Sequence, residues 1–244
     1  MSPSLTAICL ASTLWLGAPP SWSPVEPGLD YSMVQVKGSP GTASSRLHVF
    51  RLDLTTHKLV PVDARKPGRT RATVAELASH ITASLLVNGT YFDERDRPLG
   101  LLLGDEGELN PLRRADWGVF HVTKGRAGLV HTRDWPKLEP ATREFAIQVG
   151  PRCVIDGQPV KLKPQVARRA ALGIQSDGHV IVAVSTGELL SADLARVMAG
   201  ELTCTAAVML DGGGSAQLWA RVGDRSWHVP GAWPVPNAVA VVRR

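Results

Sequence analysis

The chain has 244 residues, 44% of them hydrophobic and 20% charged, which supplies one substantial core and excludes an intrinsically disordered protein. Its net charge of +5 and pI near 9.4 favour anionic partners such as phosphates or acidic polymers. Only 5% of residues are aromatic and the basic residues fall in scattered pairs, without a stripe of both, so no nucleic-acid partner is expected.

Residues Leu5 to Leu16 form an apolar stretch followed by Gly17-Ala-Pro-Pro20. It is too short to span a bilayer but suits the core of a secretory signal, although no Lys or Arg precedes it. The reading is a signal peptide over residues 1–22, a folded domain over residues 30–244, and an exported protein, periplasmic or extracellular. No other stretch approaches transmembrane length, so no stable membrane insertion is expected. Cys9 falls in the signal segment, and Cys153 and Cys204 either pair or remain buried thiols.

The 23 glycines and 18 prolines imply many turns and short strands. Leu47 to Leu54 alternates and reads as a strand closed by Thr55-Thr-His-Lys58, and Pro67-Gly68 marks a loop. Thr73-Val-Ala-Glu76 has the form of a capping box opening a short helix with Val74, Leu77, Ala78 and Ile81 on one face. Ala83 to Val87 reads as a buried strand ending at Asn88-Gly-Thr-Tyr-Phe-Asp93, where Asn-Gly turns the chain. Further strands are expected at 100–104, 117–122, 145–149 and 154–157. A hairpin turns at Ser176-Asp-Gly178 between strands 170–174 and 179–184. Ser191 can cap a helix carrying Leu194, Val197 and Met198 and ending near Gly200. The strand 206–210 then delivers Asp211 and three glycines, and 238–242 reads as the last strand. One strand-rich domain with two helices results.

Polar groups lie just beyond predicted strand ends at Asn88, Gln148 and Asp211, where glycine-bearing loops form pockets. Gly212, Gly213 and Gly214 can turn consecutive N–H groups toward one anion; the plainer reading is a tight bulge whose acid caps its own turn. The run lacks both the Lys-Ser/Thr ending of a P-loop and the spacing of a dinucleotide fingerprint. Ser215 lacks a GxSxG elbow. Arg168 and Arg169 match a phosphate bidentately if their strand borders the site, and are otherwise solvated. Asp93, Glu94 and Asp96 share a turn without calcium-loop spacing. No His or Cys set supports zinc.

The series Asn88-Gly-Thr-Tyr-Phe-Asp93, Gly150-Pro151, Arg169-Ala-Ala-Leu-Gly-Ile174, Leu210-Asp-Gly-Gly-Gly-Ser215 and Val235-Pro-Asn237 resembles the phosphodiester glycosidase domain over roughly residues 45 to 244. The resemblance implies an α+β fold with a mixed sheet and hydrolysis of a sugar-1-phosphodiester at its anomeric bond, the substrate being a phosphorylated glycan. It implies Asp211, Arg169, Asn88 and Asp93 as catalytic candidates. Gly89, Gln148, Gly150, Arg168, Gly212, Gly213, Gly214, Ser215 and Asn237 become substrate-binding candidates. Asp211 would serve the sugar centre or activate water, and Arg169 with the glycine amides would hold phosphate. No cofactor is implied; a divalent metal held by Asp211 and neighbouring carbonyls is an alternative the residues leave open.

Three departures stand out. The arginine strand reads Arg169-Ala-Ala-Leu-Gly173 where the family commonly has Arg-Thr-Ala-Ile-Gly, Ser185-Thr-Gly-Glu188 stands where relatives often carry an Asp-Gly-Arg turn, and the glycine motif ends Ser215-Ala216. A non-catalytic wall- or polysaccharide-binding domain is the competing reading, favoured by the altered Ser185–Glu188 segment.

Overall fold

The computed structural model describes residues 19–65 and 69–244. The expected signal core, Cys9 and the Pro67-Gly68 loop lie outside them. Three antiparallel sheets enclose the core. The largest runs Ser23–Glu26, Leu29–Val36, Ser45–Leu52, Val180–Leu190, Val166–Gln175, Cys204–Met209, Arg152–Ile155 and Gln158–Pro159 in spatial order. A second runs Gly107–Asn110, Leu102–Gly104, Arg143–Val149, Gly118–Thr123 and Arg126–His131. The third runs Arg225–Val229, Leu218–Val222, Leu85–Asn88, Asn237–Arg243 and His57–Asp63.

The inner faces meet in one cluster to which Phe50, Leu85, Phe145, Leu172, Val182, Leu218 and Val239 contribute. Helix α1 (Val74–Leu77) carries the expected capping box on Thr73 and Glu76, but lasts four residues and packs on the third sheet. Helix α2 (Ser191–Ala199) covers the outer face of the large sheet, setting Leu194 and Met198 against Ala183 and Met209. That cover explains why Val180–Val184 is buried on both faces and reads as a continuous apolar run rather than an alternating one.

Two expectations are corrected here. The sheet is not mixed: every strand pairing among the described residues is antiparallel. Tight turns such as Ser176-Asp-Gly178 join antiparallel neighbours, whereas adjacent parallel strands need long crossovers. The crossover through α2 spans the intervening strand Val166–Gln175, so it creates no parallel neighbours. Ser185-Thr-Gly-Glu188 is also not a turn. It is an irregularity inside Val180–Leu190, where Arg168 faces Glu188 but Ala170 already faces Val184. Cys153 and Cys204 are free, buried thiols in the cluster under α2.

Candidate active site

The strand Cys204–Met209 runs into Leu210, whose N–H donates to the Ala170 carbonyl at 2.8 Å. Asp211 follows and is held on both sides of its own backbone. Its N–H donates to the Gly89 carbonyl at 3.1 Å, and its carbonyl accepts from Asn88 Nδ2 at 2.7 Å. Asn88 Oδ1 in turn accepts the Gln217 N–H at 3.1 Å. Asn88 is thus fully buried and joins the two chain segments that follow strand ends, leaving the Asp211 side chain to face a cavity of about 780 Å³.

Burial raises the Asp211 pKa above the ordinary carboxylate value, while hydrogen bonds from the Ser215 hydroxyl and the Gly212 N–H act against that rise. Ser215 is buried and accepts from Trp233 Nε1 at 3.0 Å, so its hydroxyl is oriented rather than free to act as a nucleophile. Tyr91 lines the same cavity and donates its hydroxyl to the Gly150 carbonyl. Burial first, then the negative charge of Asp211, pushes the phenol up to about 12, so it stays protonated at neutral pH.

Arg169 lies on the cavity wall and is 6% exposed. Its Nε donates to the Leu189 carbonyl at 3.2 Å, and its Nη2 to the Gln165 carbonyl and to Ser191 Oγ at 3.1 Å. Nη1 makes only a long 3.4 Å contact with Gln165 Oε1 and lies 3.8 Å from where a Cβ on Gly212 would stand. The irregularity at Ser185 sets this residue: with the ladder shifted, the Arg169 N–H donates to Ser185 Oγ at 2.7 Å instead. Burial lowers the guanidinium pKa, yet the group has no carboxylate partner among the described residues. A buried cation fixed by neutral acceptors, with one donor edge toward a cavity, is arranged to receive an anion.

Other predicted site residues serve different ends. Asp93 is not in the cavity; its carboxylate caps its own turn through Arg95 N–H and Arg97 N–H and pairs with Arg97, which holds its pKa down at about 2. Gln148 is fully buried and spends its amide on Leu101, Arg113 and Thr132, tying the segment around Arg113 to the second sheet. Arg168 alternates away from Arg169 and lies off the cavity. Asn237 clamps Thr90 through Oδ1 at 2.7 Å, and any Cβ on Gly89 would stand 2.0 Å from that oxygen. Gly150 packs its backbone on Trp117. Of the three glycines, Gly212 and Gly213 line the cavity, whereas Gly214 lies under the Trp233 ring. Gly213 alone among them has positive φ, +60°.

Several contributors carry no distinct sequence signal. Gln165 and Ser191 brace Arg169 from a loop and from the start of α2, so Ser191 does not cap the helix; the cap position is Leu190. Lys161 and Lys163 complete the wall. Tyr91 was visible within Asn88–Asp93, but its role follows only from its contact with Gly150.

Residues 81–242 match the phosphodiester glycosidase family, and the chain belongs to it. No curated protein sequence matches. The fold is similar to the catalytic domain of zebrafish N-acetylglucosamine-1-phosphodiester alpha-N-acetylglucosaminidase, with a TM-score of 0.71 at 16% identity over 94% of this chain and 87% of that one. A hypothetical protein from Synechocystis superposes with a TM-score of 0.63 at 14% identity, covering 93% of this chain and 64% of that one. A Burkholderia pseudomallei K96243 protein designated as exported gives 0.61 at 12% identity, covering 85% and 75%. No helix among the described residues is long and apolar enough to cross a membrane.

Proposed function

We propose that the protein is an exported hydrolase that cleaves the anomeric bond of a sugar-1-phosphodiester in an envelope or extracellular glycan, releasing free sugar and a phosphomonoester. The observation that carries this reading is that Asp211 and the unpaired guanidinium of Arg169 open on one cavity in a chain of this family. The name of the zebrafish relative describes cleavage of such a bond.

The chemistry suits these residues. Glycosidases ordinarily need one carboxylic acid to protonate a poor leaving group and a second carboxylate for the anomeric centre. A departing phosphomonoester is already a stable anion, so proton donation matters less and charge stabilisation matters more. Asp211 is the single carboxylate among the residues lining this cavity. Ionised, it activates water or stabilises the oxocarbenium-like centre, and its raised pKa makes it a stronger base than a solvated aspartate. Arg169 and the amide of Gly213 receive the phosphate charge as it develops, while the Gly212 N–H stays on the Asp211 carboxylate. Tyr91, held protonated, offers ring surface to the sugar.

Sugar release from a panel of sugar-1-phosphodiesters tests this directly, with and without a chelator to decide metal dependence. Turnover that disappears in Asp211→Asn supports the hydrolase. Tight binding of the same compounds without release, unchanged by Asp211→Asn, establishes the non-catalytic glycan-binding domain instead.

A further inference from the structure

Besides the glycine loop, the cavity is lined by residues 161–165 of a short strap, Val160-Lys-Leu-Lys-Pro-Gln165. Both its ends are tied down. The Val160 N–H donates to the Cys153 carbonyl at 2.9 Å. The Gln165 carbonyl accepts from Arg169 Nη2, from the Ser191 N–H at 3.1 Å and from Ser191 Oγ at 3.2 Å. Between these ties Leu162 packs against the apolar cluster under α2, while Lys161 and Lys163 on either side of it are exposed. The partly buried leucine anchors the strap, and both exposed lysines line the cavity beside it.

Neither lysine has an ion-pair partner among the described residues, unlike Lys58 with Asp105 or Lys137 with Asp134. The cavity thus gathers Lys161, Lys163 and Arg169 against the lone carboxylate of Asp211. A simple phosphodiester carries one negative charge, which Arg169 and the Gly213 amide already meet. The two lysines exceed what that substrate needs. Arg169 links the strap to the glycine loop: its Nη2 donates to the Gln165 carbonyl at the end of the strap, and its Nη1 lies 3.8 Å from where a Cβ on Gly212 would stand.

Resting on the assignment of Asp211 to the sugar and Arg169 to the scissile phosphate, we propose that Lys161 and Lys163 bind a second phosphate on the leaving side. The preferred substrate is then a polymer of sugars joined by repeated phosphodiesters, and the strap lysines set that preference. The test compares the full-length wild type with Lys161→Gln/Lys163→Gln on two substrates. One is a sugar 1-(methyl phosphate); the other is an oligomer of the same sugar linked through 1-phosphodiesters. The double substitution is expected to raise KM for the oligomer about tenfold, with kcat unchanged, no change on the methyl ester, and a flatter dependence of oligomer KM on salt. An oligomer KM indifferent to both lysines, or an equal loss on both substrates, overturns the proposal. If wild type turns over neither substrate, the hydrolase reading fails, and calorimetry of oligomer binding decides the charge reading by itself. Salt-sensitive binding weakened by the double substitution supports it, and unchanged binding refutes it. Equal affinity for a phosphate-free polyuronate of matched length would also overturn the phosphate-polymer assignment.

Discussion

Asp211 carries two opposed demands. The proposed reaction needs its charge in the cavity, yet burial raises its pKa, so the ionised form costs the folded state free energy. The sign follows directly: for a carboxyl with a raised folded pKa, stability is lost as pH climbs from the unfolded value through the folded one. Asp211→Asn removes that penalty while retaining an acceptor for the Ser215 hydroxyl. The substitution is expected to lower kcat by about a thousandfold or more and to leave Tm unchanged or raise it. Thermal unfolding at neutral pH and at about pH 4 checks it, because the stability gain should shrink at the lower pH as wild-type Asp211 takes up its proton. A Tm that drops sharply at both pH values would show that the carboxylate is part of the scaffold.

At the scale of elements, the site is a junction of segments that follow strand ends. Asn88 illustrates how far the sequence could be read. Its place at the end of a buried strand beside a turn is legible from Ala83–Asp93, and its association with Asp211 is expected from their shared position beyond strand ends and from the family resemblance. Its task is not legible: the amide is spent on the Asp211 carbonyl and the Gln217 N–H, contacts between residues 123 and 129 positions apart. Asn88→Asp keeps the volume but replaces the donor with a charge aimed at a carbonyl. A loss of about 2–4 kcal/mol is expected in denaturant unfolding, together with lower kcat because Asp211 shifts. The same limit applies to Gln148 and Asp93. Both are polar and both lie near strand ends, but Gln148 is consumed by neighbours that only the tertiary fold supplies and Asp93 by Arg95 and Arg97 of its own turn. The glycines divide in a comparable way. Gly214→Ala would set a Cβ 2.5 Å from the Trp233 ring, so a loss of about 1–3 kcal/mol is expected. Trp233→Leu in the same chain should recover part of it, a cycle that thermal unfolding can read.

For the whole molecule, the strand-rich single domain, the Ser176–Gly178 hairpin and the Thr73 capping box were all legible, because each depends on local pattern. The partition into three antiparallel sheets was not, since the hairpins at Leu29 and at Gly223 carry weak alternation and draw their burial from partners elsewhere. That shared burial has a consequence for pH. His121, between the second sheet and Trp135, has its pKa pushed down to about 4, by desolvation first and by the Arg143 charge second. Burial likewise lowers the pKa of His48, with Arg46 adding to the effect. Above about pH 6.5 these rings are neutral in both states and cost nothing. As pH falls below that, the unfolded chain takes up protons that the folded one refuses. Stability is therefore lost between about pH 6.5 and 4, by roughly 3 kcal/mol from His121 alone. Carboxylates held low by partners, such as Glu26, add to the loss only at the acid end of this window, and Asp211 contributes with the opposite sign. The difference between wild type and His121→Gln, followed by urea unfolding across the window, isolates the imidazole. The wild type should lose stability more steeply on acidification, whereas parallel curves would mean that His121 titrates alike in the folded and unfolded chain.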